Sequence, residues 1–174
     1  MKRTLTALCC FSFCSISALA VKPAAKMHGM TDQEFVDFAA QTDMVEANLG
    51  QLAQTAASSQ PVKDYAQMLV TDHTGDFQQL QDIARQANLN MPNAIDAQHE
   101  KAIDPFQKLK DAAFDHRYVQ EMIAGHSKAL EIFKKEAADA QNPALKSYAE
   151  KDLPVLEKHL TGAKDLGTAK KPAK

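Results

Sequence analysis

No cysteine occurs after residue 14 of this 174-residue chain; the three present are Cys9, Cys10 and Cys14. The rest of the chain therefore cannot be a disulfide scaffold, a thiol enzyme or a thiolate metal site. Positive charge is not in excess either. Removing Lys2 and Arg3 from the 20 basic residues leaves 18 against 22 acidic ones, a net charge of −4. That balance excludes nucleic acid as a partner, because phosphate binding needs a basic face. There is no glycine-rich phosphate loop, nucleophile–base pair or Cys-x-x-Cys, so no reaction is assigned and the chain is not marked as an enzyme. No ten-residue segments of alternating polarity occur either, which excludes an outer-membrane barrel.

The longest apolar run, "LTALCCFSFCSISALA", is interrupted by serines and threonine and falls short of the roughly 20 residues that span a bilayer. Preceded by Lys2-Arg3 and closed by Ala18-Leu19-Ala20, it reads as a signal peptide cleaved after residue 20. No small residue directly precedes any cysteine, so no acylation site is expected. The mature protein is expected in the periplasm or secreted, without a transmembrane segment. Residues 21–30 read as a flexible leader, residues 31–168 as one folded domain, and residues 169–174, with Lys170, Lys171 and Lys174, as a solvated basic tail.

What the domain does contain is helical periodicity. Thr31 with Glu34 three residues on is a capping box, and Phe35, Phe38/Ala39, Thr42, Val45, Leu49, Leu52/Ala53 and Ala56 follow at helical spacing. Pro61 opens a second helix carrying Val62, Ala66, Leu69, His73, Phe77 and Leu80, which stops at the turn-rich "NLNMPN". Residues 96–111, interrupted by Pro105, read as part of a long crossover. A third helix is predicted from Phe114 to Ala140, and Asn142-Pro143 cap a fourth reaching Leu166. The fold class is all-α: a ferritin-like four-helix bundle of two helical hairpins joined by one long crossover.

Three polar residues stand on the stripes meant for the core, and a fourth, His159, flanks one. His73 lies four after Leu69 and four before Phe77; His126 lies four after Met122; Glu46 lies three before Leu49; His159 lies four after Val155. Their heights agree. Glu46 is thirteen residues before Ser59 and His73 fourteen after it, whereas His126 is fifteen before Gln141 and His159 eighteen after. The last mismatch is ~4.5 Å along the axis, within a side chain's reach. Burying such groups unpaired costs several kcal/mol, so they must meet each other, water or a cation. Imidazoles with a carboxylate suit Zn, Fe, Mn or Cu. The alternative is a hydrogen-bonded network that fixes helix register and binds nothing. None of the three histidines has a glutamate three before it, which disfavours a dinuclear carboxylate centre.

Three further residues are candidates for holding the site from outside. Asp72, about 100° around its helix from His73, is a surface residue or a partner for a neighbouring helix. Asp115 is a first-turn carboxylate answering the helix dipole or such a partner, and Tyr118 is a core tyrosine with room to approach the site. Pro154, inside the fourth helix, removes one backbone hydrogen bond. Met27, His28 and Met30 offer soft ligands for Cu(I), against the simpler reading of a leader.

The blocks "FVDFAAQTDMVEANLGQLA", "VKDYAQMLVTDHTGDFQQL", "FDHRYVQEMIAGHSKAL" and "LKSYAEKDLPVLEKHL" resemble successive parts of a bacterial exported family, domain-of-unknown-function family 4142. That family is often labelled outer-membrane protein and grouped with ferritin-like folds. The resemblance spans residues 31–166 and is carried by Glu46, Asp72-His73, Phe114-Asp115, Tyr118, His126, Leu153-Pro154 and His159. It implies the bundle and an envelope location but supplies no activity. Two functions follow: an exported bundle binding a transition metal at mid-height, or a non-catalytic envelope or stress-related interaction protein. A homo-oligomer fits either, and no protein partner is indicated.

Overall fold

Thr31 starts the first helix as its spacing predicts. Its hydroxyl accepts from the Glu34 amide (3.2 Å) while the Glu34 carboxylate takes the Thr31 amide (2.7 Å), so two otherwise orphaned donors are satisfied reciprocally. The computed structural model describes residues 30–169; the expected signal peptide, nearly all of the expected leader with His28, and most of the expected basic tail lie outside the described residues. Helix α1 (Asp32–Ala56) turns through Ala57–Ser59 into α2 (Gln60–Gln86). Helix α4 (Asp111–Asp139) turns into α5 (Pro143–Thr168), and between the hairpins lie α3 (Ala97–Ile103) and a 3-10 turn (Asp104–Lys108). The short connections make each hairpin antiparallel. In addition α2 packs on α5 and α1 on α4, closing a four-helix ring. The described residues are all-helical, with no strand.

Local chemistry sets the helix ends. Asn142 accepts from the Ala144 and Leu145 amides ahead of Pro143. Helix α2 ends with Asn88 at a positive φ of 56° and the Leu89 amide on the Ala84 carbonyl (2.9 Å), a C-terminal motif that suits asparagine. Helix α4 begins at Asp111, earlier than the apolar stripe from Phe114 suggests, because Leu109–Lys110 is extended and Asp111 takes a positive φ of 53°. Helix α5 runs through Pro154, which faces solvent. The carbonyl it leaves without a partner belongs to Glu150, also exposed, where water can satisfy it. The crossover is held against α1 by Gln33 and Gln41. Gln33 exchanges two hydrogen bonds with Asn90 (2.8 Å each), and Gln41 pairs with the Ala94 carbonyl (3.0 Å) and the Asp96 amide (3.1 Å).

The core falls into two apolar halves. One gathers Leu49, Ala53, Leu69, Phe106, Phe114 and Met122 at the α1–α2 turn end. The other gathers Phe35, Leu80, Ala129, Phe133, Tyr148 and Leu156 at the α4–α5 turn end. Between Leu69 and Leu80 on α2 stands His73; between Met122 and Ala129 on α4 stands His126; between Leu156 and Ala163 on α5 stands His159. The polar residues therefore form a layer through the middle of the bundle. Among the described residues no helix is long and apolar enough to cross a membrane.

Candidate metal centre

Each of the three histidines is buried, 4% exposed for His73 and 1% for His126 and His159, and each is gripped on one ring nitrogen. On α4 the His126 Nδ1 donates to the Met122 carbonyl one turn back (2.9 Å). A carbonyl only accepts, so this contact places the ring proton on Nδ1 and leaves Nε2 with its lone pair. On α5 the His159 Nε2 pairs with Asp72 Oδ2 of α2 (2.9 Å), and on α2 the His73 Nδ1 pairs with Asp43 Oδ1 of α1 (2.8 Å). With the carboxylates accepting, the nitrogens left over are His126 Nε2, His159 Nδ1 and His73 Nε2.

Those leftover nitrogens have no ordinary satisfaction. His126 Nε2 faces His159 Nδ1 at 3.3 Å, lone pair to lone pair in these tautomers, and His73 Nε2 is buried without any partner. Ring centroids stand 5.2–5.8 Å apart, and one ligand nitrogen from each residue lies within 4.8 Å of the others. For His126 and His159, burial disfavours a further proton. Burial first, then the neighbouring His73, holds His126 down at about 3. Burial lowers His159 as well, opposed by its bond to Asp72. Three nitrogens bound to one zinc at about 2.0–2.1 Å stand roughly 3.4 Å apart in a tetrahedron. The donor set and its spacing fit a transition-metal ion after small rotations of the rings.

The fourth residue of the expected group stands beside it. Glu46 Oε1 is 3.9 Å from His126 Nδ1, the nitrogen turned away from the other two imidazoles. Its Oε2 has no hydrogen-bond partner, and burial pushes the carboxyl up to about 7, with His73 opposing and Glu121 and Asp43 adding to the rise. The structure thus brings His73, His126 and His159 together and sets Glu46 at the outer edge of His126. Asp72 holds His159 from behind. Asp115 is spent elsewhere: it accepts from the Ser58 amide (3.0 Å) and hydroxyl (2.6 Å) and the Ser59 amide (3.0 Å), which caps α2 in place of a side chain of its own. Tyr118 stacks on Phe114 and meets Tyr65 edge-on. Its buried hydroxyl has no partner, and the nearby Glu46 charge adds to the burial that raises it. The Tyr65 hydroxyl donates to the His159 carbonyl (2.9 Å).

Sequence reasoning missed Asp43, Asp76, Tyr148 and Asp152. Asp43 orients His73; burial, then the nearby Asp76 charge, raises it well above the usual carboxylate range. Asp76 in turn accepts from the Tyr148 hydroxyl. Burial, followed by Asp76 and Asp43, pushes Asp152 up to about 7. A signal existed for Asp43: it lies four after Ala39 and three before Glu46, on the same stripe.

Residues 17–166 match the family described as domain of unknown function DUF4142. Among solved structures, CopM in the Cu(II)-bound form aligns with a TM-score of 0.64 at 15% identity, over 80% of this chain and 97% of that one. At that identity the likeness speaks for a shared helical fold. Among curated proteins none matches.

Proposed function

We propose that this chain, which belongs to the DUF4142 family, is an exported ferritin-like bundle protein that binds one transition-metal ion through His73, His126 and His159. One observation carries the reading. Three imidazoles from three helices each spend one nitrogen on a fixed acceptor and turn the other toward a common point. Metal-bound histidines recur in this arrangement, their outer N–H held by a carboxylate or carbonyl that sets tautomer and ring orientation. Helices α2, α4 and α5 supply one ligand each, and Asp43, Asp72 and Met122 orient them. Glu46 offers a compensating charge at the outer edge of His126.

Three neutral imidazoles suit Zn and Cu best, with Fe next and Mn least. The structural likeness to a Cu(II)-bound protein makes Cu(II) the first ion to test. A bound ion would supply Lewis-acid or one-electron chemistry; the residues around it hold the ligands, exclude water and assign no substrate. Export rests on Lys2-Arg3, the apolar run and Ala18-Leu19-Ala20. The ferritin-like arrangement is supported by the two hairpins and the connection between them.

The second reading is favoured by the same contacts seen differently. The Asp43–His73, Asp72–His159 and His126–His159 pairs join α1 to α2, α2 to α5 and α4 to α5, as a register-fixing network would. Elemental analysis and thermal melting of the mature, untagged protein separate the two. One equivalent of Cu or Zn, lost in a His73→Ala/His126→Ala variant, supports the metal site. Metal-free protein whose melting does not move on adding Cu, Zn, Fe or Mn supports the network instead.

A further inference from the structure

The imidazoles are sealed from solvent, so an ion reaching them must pass between side chains, and one face of the bundle is built to admit it. Asp72, Gly75 and Asp76 of α2 and Lys151, Asp152 and Val155 of α5 line a cavity of about 250 Å³ open to the surface. Its inner wall touches the metal centre. Asp72, one-third exposed, bonds His159 directly, and Val155 lies one turn before His159. Three carboxyl side chains face one ammonium there, so negative charge prevails once Asp152, raised to about 7, has given up its proton.

A second feature, inside the protein, points to the same occupant. Asp43 is 4% exposed, and its Oδ2 has no hydrogen-bond partner. Oδ1 is committed to His73, and the carboxyl lies close enough to Asp76, which lines the cavity, to be raised by its charge. A buried carboxyl oxygen set against a second carboxyl accepts only a proton or a cation. Gly75 completes the picture: a β-carbon built there meets nothing within 4 Å, so glycine keeps the mouth open where helix propensity would favour alanine.

We infer that Asp72, Asp76 and Asp152, with Asp43 at the inner end, form an acidic vestibule through which a divalent cation is drawn to His73, His126 and His159. The inference rests on the metal reading above and adds a route to it. Clefts of one charge sign raise cation association rates about 10- to 10³-fold, and that gain falls with ionic strength. Asp72 is the handover point, facing solvent on one side and an imidazole on the other.

Stopped-flow absorbance with Co²⁺ as the probe tests this on the mature protein, reading the visible band of imidazole-ligated cobalt. Gly75→Phe closes the mouth without touching a ligand, and far-UV circular dichroism together with an unchanged final spectrum shows the centre intact. Association and dissociation should both slow at least tenfold, leaving the dissociation constant close to that of the parent. Asp76→Asn/Asp152→Asn should slow association about tenfold and flatten its dependence on salt. If both variants take up Co²⁺ at the parent rate, the vestibule is wrong while the metal centre stands. If the parent protein itself gives no cobalt spectrum, the metal reading falls and the vestibule with it.

Discussion

At the residue scale, the site depends on which nitrogen each imidazole has left to give. Asp72→Asn keeps the shape but replaces a carboxylate acceptor with an amide that holds His159 Nε2–H less strongly. Outer partners of this kind are worth about 10- to 100-fold in metal affinity. A competition titration of Asp72→Asn should therefore show binding weakened by that factor at unchanged stoichiometry; equal affinity would mean His159 is not held through Asp72. The three histidines were legible in the sequence because His73 and His126 interrupt an apolar stripe at helical spacing and His159 flanks one at the same height. Their partners were not. Whether a carboxylate reaches sideways to a neighbouring helix depends on rotamers and on the distance between helices, which periodicity does not encode. Asp115 makes the point in reverse: its position at the start of α4 suggested a link to the centre, but two amides of the α1–α2 turn lay closer. Counting one polar residue per helix also hid Asp43, although its spacing from Glu46 was visible.

At the scale of elements, two glycines predict opposite outcomes. A β-carbon at Gly50 would lie 2.7 Å from Val70 Cγ2 and 2.9 Å from the Ala66 carbonyl oxygen, so α1 and α2 are as close as glycine allows. Gly50→Ala should destabilise by about 1–3 kcal/mol, as overpacking does. Gly75→Ala, with open space around it, should stabilise by up to about 1 kcal/mol. Urea unfolding of both variants checks the contrast, and a shared sign would mean the hairpin is packed differently. Near the end of α4, Glu136 is almost covered and has an unpartnered oxygen. Burial first, then Asp32 and Asp139, pushes it up to about 7. An acid raised above its ordinary value favours the folded state while protonated, so that stability is complete below about pH 4.5 and is lost as pH rises through about 7. Glu136→Gln should raise the melting midpoint at pH 8, by the equivalent of about 1 kcal/mol after allowing for screening by solvent, and leave it nearly unchanged at pH 4. Element types and order followed from periodicity and caps. The start of α4 did not, because backbone conformation at Asp111, not the apolar stripe, decides it.

At the scale of the molecule, the ionisable layer interrupts hydrophobic contact along the bundle axis. Leu69 and Leu80 are fully buried on the same helix but belong to different halves of the core, about 16 Å apart by helical rise. Each Leu→Ala should remove about 2–5 kcal/mol. Without metal, the double variant should equal the sum of the singles within about 0.5 kcal/mol, as distant independent sites do. On the metal reading, saturating Cu²⁺ would tie three helices together between the two positions, and a coupling of about 0.5 kcal/mol or more should then emerge from the same double-mutant cycle. A cycle that stays additive with the ion bound would show that it does not link the two ends. The expected outcome is a metal-free chain whose two modest cores, sharing four rods, answer damage independently, and a loaded one in which the cation makes each feel a defect in the other.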